Sequence, residues 1–210
     1  MESKIRFIKN HASFTVCNDD GLPVAQLVPI NSRTINLQAN VCELFSDWRN
    51  RFQDGFLTRF KATPERTWHW LQNEAILRND KILFFILVDD TIVGHIGLTN
   101  ITPHDAEVDN VVNTFKQQDF FKFVLKNLVR LSFDLLTIEK IRIRYFSDND
   151  VAVRAYGKVF RDCTVQRDFM RRIETNNAGI EYQVCSREES NTEVRYLTSE
   201  LTKTGFYNVF

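Results

Sequence analysis

The chain predicts an α/β (α+β) fold: a mixed, mostly antiparallel sheet flanked by helices, with a β-rich extension at its N-terminus. Three observations carry this prediction. In KILFFILVDDTIVGHIGLTNI, two apolar runs, Ile82 to Val88 and Ile92 to Ile101, meet across Asp89-Asp90-Thr91, the pattern of an antiparallel hairpin. From about Gln118 to Leu136, Phe121, Val124, Leu125, Leu128, Ser132 and Leu135 recur at helical spacing on one stripe. A further strand, Ile141 to Phe146, follows that helix, which therefore crosses over to a neighbouring strand.

The remaining elements follow in chain order. KIRFI, ASFTV and PVAQLVPI are short β-rich runs, so Lys4 to Ile30 reads as a small meander. INLQA is another alternating stretch. CELFSDWRNRF spaces Leu44, Phe45, Trp48 and Phe52 as a helix. Thr63-Pro64-Glu65-Arg66 opens a helix to about Arg78, with threonine as cap, proline at the first position and Trp68, Leu71, Ala75 and Ile76 on one side. Ala106 to Asn113 is a strand. Ser147-Asp148-Asn149-Asp150 starts a helix, with Ser147 as its cap. Thr164 to Glu174 and Ile180 to Ser186 form a last hairpin around TNNAG, and TEVRYLTSEL reads as a short helix ending at Gly205. The expected units are an extension (1–33), a main domain (34–186) and a tail (187–210).

Composition narrows the function classes. Lys plus Arg and Asp plus Glu balance at 27 each, so no overall field draws the chain to nucleic acid or an acidic membrane. Cys17, Cys42, Cys163 and Cys185 lack C-x-x-C spacing, and His11, His69, His95 and His104 are not clustered, so reduced thiols and no metal are expected. MESKIRFIKNH has no secretory apolar region and no run reaches the length of a membrane span, which predicts a cytoplasmic protein.

The most informative stretch is IEKIRIRYFSDNDVAVRAYGKVF. Asn149, Ala152, Tyr156 and Lys158 fit the pattern N-x-x-A-x-x-x-Y-x-K, and Phe160 follows two residues later. With IVGHIGLTNI and AEVDNVV, this stretch resembles the GNAT N-acetyltransferase superfamily over about 35–186. DWRN followed by TPERTWHWL looks most like its sugar-nucleotide amino-group acetyltransferases, of the pseudaminic-acid-pathway type. The ribosomal-protein N-terminal acetyltransferases are a related branch.

The resemblance implies acetyl-CoA as co-substrate and a small-molecule amine as acceptor. Two strands splay, the pantetheine arm pairs in the gap, and the diphosphate rests on N–H groups at the following helix start. It makes Tyr156 the general acid near the sulfur and Glu107 a candidate base acting through water. Val111, Val112 and Asn113 supply backbone to the donor, Asn149 binds pantetheine or caps its helix, and Lys158 fills its motif position. Trp48, Arg49 and Asn50 frame the acceptor. His95 reads as a hydrogen-bonded core histidine or a substrate-binding one. Lys116-Gln117-Gln118-Asp119-Phe120-Phe121 aligns with a loop patterned R/Q-x-x-G-x-G/A, so Asp119 and Phe121 stand where small residues belong. A carboxylate there repels a diphosphate and a phenyl ring fills its space. Two alternatives therefore stand beside acetyl transfer from acetyl-CoA: a non-catalytic binding or assembly module, or an acyltransferase fed by an acyl carrier protein. Exposed strand edges also allow a homodimer.

Overall fold

The structure is a computed structural model that describes residues 1–36, 40–161, 165–175 and 179–210. The chain starts with helix α1 (Glu2–Asn10), then strands β1 (Phe14–Cys17) and β2 (Pro23–Pro29). KIRFI is thus helical, against the strand expected. Ile5 and Ile8, three residues apart, are both buried, and Glu2 and Lys9 suit the two ends of the helix dipole. The expected INLQA strand is also corrected: Ile35 and Asn36 lie in a turn, and 37–39 fall outside the described residues.

Helix α2 (Val41–Arg51) and helix α3 (Pro64–Trp70) flank the short strand β3 (Thr58–Arg59). Thr63 caps α3 as expected, accepting from the Arg66 amide. A π-helical turn, Leu71–Ile76, then shifts the helix phase. Thr67, Leu71 and Ala75 consequently face inward, while Trp68, expected on the buried side, is 39% exposed. The hairpin forms as read, with β4 (Ile82–Val88) and β5 (Thr91–Thr99), followed by β6 (Asp105–Asn113). Helix α4 (Phe120–Leu131), again ending in a π turn, leads to β7 (Lys140–Phe146) and α5 (Asp150–Gly157). Asn149, not Ser147, caps α5 and accepts from the Ala152 amide; the Ser147 hydroxyl instead accepts from the Arg195 amide.

Strands β8 (Val165–Thr175) and β9 (Gly179–Cys185) pair as the final hairpin, with 176–178 outside the described residues. The segment expected to be a terminal helix is mostly strand: β10 (Arg195–Thr202) lies between β7 and β8. Its burial alternates, with Tyr196, Leu197, Ser199 and Leu201 buried, and pairing on both edges outweighs local helix preference. Helix α6 (Lys203–Val209) follows, and Gly205 lies within it rather than ending a helix.

Among the described residues, ten strands form one sheet in the order β1-β2-β4-β5-β6-β7-β10-β8-β9-β3. Residues 1–33 and 187–210 thus join the same sheet as the centre of the chain. Every pairing is antiparallel except β6 with β7. One face packs on α1, α4 and α5 through Phe84, Ile96, Val124, Leu128 and Phe133. The other packs on α2 and the α3 region through Phe45, Leu71, Leu83 and Phe85. Each such large apolar side chain contributes roughly 1.5–3 kcal/mol on burial. Among the described residues no helix is long and apolar enough to cross a membrane, no His, Cys, Asp or Glu group could hold a metal, and Cys17, Cys42 and Cys185 form no disulfide. Cys163 lies outside them.

Candidate active site

The parallel pairing of β6 with β7 runs from Asp105↔Lys140 to Val108↔Ile143 and stops. From Asp109 onward β6 pairs only with β5, so the two strands part. A bulge marks the departure: register with β5 slips between His95 and Gly97, and Asn110 has a left-handed φ of 52°. Asparagine tolerates that conformation far better than most residues.

A cleft of about 500 Å³ opens at this gap. Val108, Asp109, Asn110 and Val111 of β6 border it, with Ile143 and Arg144 of β7, Tyr156 of α5 and Tyr196 of β10. Arg49 of α2, residues 55–58 with Phe60, the α3 residues Arg66, Thr67 and Trp70, and Lys81 close its other side. The gap thus joins the sheet face covered by α2 and α3 to the one covered by α5.

Tyr156 is buried, with its ring 5.2 Å from Tyr145 and 6.1 Å from Phe121. Burial, reinforced by the nearby Asp109 carboxylate, pushes its phenol above the ordinary value, so it keeps its proton at neutral pH. Burial likewise pushes Tyr196 up to about 12. His95 stacks on Phe45 at 4.4 Å, and burial, with a smaller contribution from Arg49, pulls it down to about 4 against the opposing bond to Asn110. The ring is therefore neutral, and its Nδ1–H donates to the Asn110 carbonyl at 2.6 Å. His95 is hydrogen-bonded within the core, as one expectation had it, and its ring borders the cleft.

Of Trp48, Arg49 and Asn50, Arg49 alone borders the cleft. Burial lowers its guanidinium to about 10, with Asp109 opposing, so it stays charged. It donates to Thr58 O at 2.6 Å and lies 3.7 Å from the centre of the Phe56 ring. Trp48 packs in the core against Phe45, and Asn50 clamps Ala62 through its N–H and C=O. Glu107 is held by Arg144 at 2.7 and 2.9 Å and does not line the cleft. Its strand neighbour Asp109, on the same face, does, and among the described residues no cation lies within ion-pair distance of it. Sequence reading missed Asp109 because a bulge, invisible in residue pattern, turns the strand there. Strand alternation from Glu107 was the signal that could have found it.

Val111 borders the cleft, Val112 points into the core beside Phe85, and Asn113 turns its amide onto Phe115. Lys116, Gln117 and Gln118 are exposed ahead of α4. Asp119 has φ 58°, the left-handed turn that a glycine would supply. Its carboxylate is held by Lys158 at 2.5 Å, which keeps it below the ordinary carboxylate range. Phe121 lies half-buried, packed toward Tyr156. The two obstacles read from sequence are thus each displaced: the charge is paired and the ring packs against α5. The Phe120 amide is taken by the Gln117 carbonyl, and α4 starts directly after the Asp119 turn.

The comparisons agree with this architecture. No curated protein matches the chain. Among solved structures, spermidine N-acetyltransferase from Vibrio cholerae, in complex with CoA and spermine, aligns with TM-score 0.64 and 12% identity, over 88% of this chain and 98% of that one. A probable GNAT-family acetyltransferase from Chromobacterium violaceum aligns with TM-score 0.63 and 13% identity, over 93% and 88%. FdhC, a nucleotide-linked sugar GNAT, aligns with TM-score 0.60 and 12% identity, over 93% of each chain. The family model of the acetyltransferase (GNAT) domain matches residues 32–159, which span α2 through α5 and both strands of the gap. The chain belongs to the GNAT acetyltransferase family.

Proposed function

We propose that the protein transfers an acetyl group from acetyl-CoA to an amino group of a small molecule, with a nucleotide-linked amino sugar as acceptor. The observation that carries this reading is the β6–β7 gap, with Asp109 and Tyr156 both bordering the cleft that opens there. Acetyl-CoA supplies a thioester carbon open to attack. The amine nitrogen forms a C–N bond to that carbon, the C–S bond breaks, and the electron pair leaves with sulfur. Asp109 takes the proton that the nitrogen loses. A free thiol has an ordinary pKa of about 8.5, below that of the Tyr156 phenol, so full proton transfer from Tyr156 is uphill. Tyr156 therefore acts as a hydrogen-bond donor to the departing sulfur. Glu107 positions Arg144 on the cleft wall.

Support for the acceptor class comes from the DWRN and TPERTWHWL resemblance and from the fold shared with FdhC. Reduced thiols suit a cytoplasmic setting. Calorimetric titration with acetyl-CoA tests the donor, and release of free thiol in the presence of amino-sugar nucleotides tests the acceptor. Micromolar saturable binding with acceptor-dependent thiol release is expected. An absence of binding up to millimolar acetyl-CoA would favour a non-catalytic module or a carrier-protein donor.

A further inference from the structure

We propose that the α3 side of the cleft is an anion subsite, and that the acceptor carries, besides its amine, a phosphate or similar anion held by Lys81 and Arg66. Lys81, just ahead of β4, is only 6% exposed. Its ammonium lies 5.4 Å from the centre of the Trp70 ring and has no hydrogen bond or ion pair among the described residues. The stem is buried while the ammonium reaches the cleft, and Asp80, whose carboxylate feels the Lys81 charge, is already engaged by Arg78. Arg66, 4.3 Å from the centre of the Phe60 ring, likewise has no carboxylate partner among those residues. Arg49 is stacked on Phe56 and Phe60 and also lacks an ion pair there. Arg144 is already neutralised by Glu107.

Against these cations Asp109 is the one carboxylate on the cleft wall among the described residues. The cleft is therefore bipolar, and the sheet register sets its span. Leu83, Gly97 and Asp109 are in register across β4, β5 and β6. Lys81, two residues before Leu83, has its side chain on the same face. Gly97 sits between them without a side chain; a Cβ there would lie 2.9 Å from Ile82 O. The Leu83 side chain packs over Gly97 at this register, so the strand between acid and cation adds no charge of its own. Two strand spacings across the sheet and two residues along it set their backbones roughly 12 Å apart. A molecule with an amine at one end and an anion one sugar-sized unit away meets complementary charge at both ends. A polyamine would set its second ammonium against Lys81 and Arg66.

The amine end of this inference rests on the acetyl transfer proposed above, whereas the anion end does not. The test is calorimetric titration of inorganic pyrophosphate into the full chain and into its Lys81→Met and Arg66→Gln variants, with spermidine as the cationic comparison. Saturable pyrophosphate binding is expected in the parent chain, weakened at least tenfold in each variant, with no spermidine binding. Pyrophosphate binding unchanged in both variants would place it elsewhere, at the donor loop for instance, and would overturn the subsite. Absent pyrophosphate binding, or spermidine binding in its place, would also overturn it. Arg66 is exposed, so its variant tests the site even if Lys81→Met lowers stability. Binding that depends on Lys81 supports the subsite whether or not acetyl-CoA binds, so the two readings fail separately.

Discussion

The His95 imidazole and the Asn110 carbonyl are joined by a 2.6 Å hydrogen bond that holds the bulge where β6 leaves β7. The bond settles the tautomer: a carbonyl only accepts, so Nδ1 carries the proton and Nε2 is left as an acceptor. A core side chain on β5 thereby fixes the backbone that opens the gap.

The burial of that ring, which outweighs the bond, implies a pH dependence of stability. The ring's folded value, about 4, lies below the ordinary 6.5, so the unfolded chain binds the proton first as pH falls. The contribution of neutral His95 is fully present above pH 6.5 and is lost between there and pH 4. Its size is on the order of 3 kcal/mol. Urea unfolding of the parent chain and of His95→Gln at pH 7 and pH 4 should show a smaller acid loss in the variant. Equal losses would mean that the ring protonates freely in the folded state.

Tyr156→Phe removes the hydroxyl and keeps the ring that packs on Tyr145 and Phe121. Turnover should drop about 10²-fold or more, with acetyl-CoA affinity close to unchanged. Steady-state kinetics beside donor calorimetry separates the two quantities. Unaltered turnover would take the phenol out of the reaction.

The Asp119–Lys158 pair predicts opposite effects on donor binding. Asp119→Asn retains a side chain that tolerates positive φ and removes the negative charge, so acetyl-CoA should bind several-fold more tightly. Lys158→Met should weaken binding. Both differences should shrink as salt is raised, because both residues are partly exposed. Asp119→Val, a branched residue at φ 58°, should instead lower stability by about 1–2 kcal/mol.

Lys9 ties α1 to the end of the α3 region by donating to Ala75, Ile76 and Arg78 carbonyls at 3.0, 2.9 and 2.7 Å. Lys9→Met leaves those carbonyls without this donor and should cost about 1–3 kcal/mol of unfolding free energy. A urea midpoint that does not move would show that water replaces the ammonium fully.

The central hairpin and the β6-α4-β7 crossover were legible because periods of two and of 3.6 residues differ plainly in those stretches. The ends were not. KIRFI is too short for its period to decide between strand and helix, and Ile5 and Ile8 acquire a buried face only once the sheet exists. YLTSEL becomes a strand because β7 and β8 flank it, a fact of three-dimensional neighbours rather than propensity. The site divides in the same way. Tyr156 and Arg49 could be read from motifs, whereas Asp109 depends on a bulge and Lys81 on which helix covers the sheet.

Glu107 and Asp109 share a strand face and can be told apart by kinetics. Both Glu107 oxygens are engaged by Arg144, so Glu107→Gln should chiefly disturb the cleft wall, with a modest loss of stability and a change in acceptor KM. Among the described residues, Asp109 has only the Asn110 side-chain amide on its carboxylate, at 2.7 Å, and it borders the cleft at the gap. Asp109→Asn should therefore cut kcat by about 10²–10⁴-fold. The decisive comparison is kcat of both variants on one acceptor. A kcat that survives in Asp109→Asn but collapses in Glu107→Gln would return the proton-accepting role to Glu107, acting through water across the Arg144 pair.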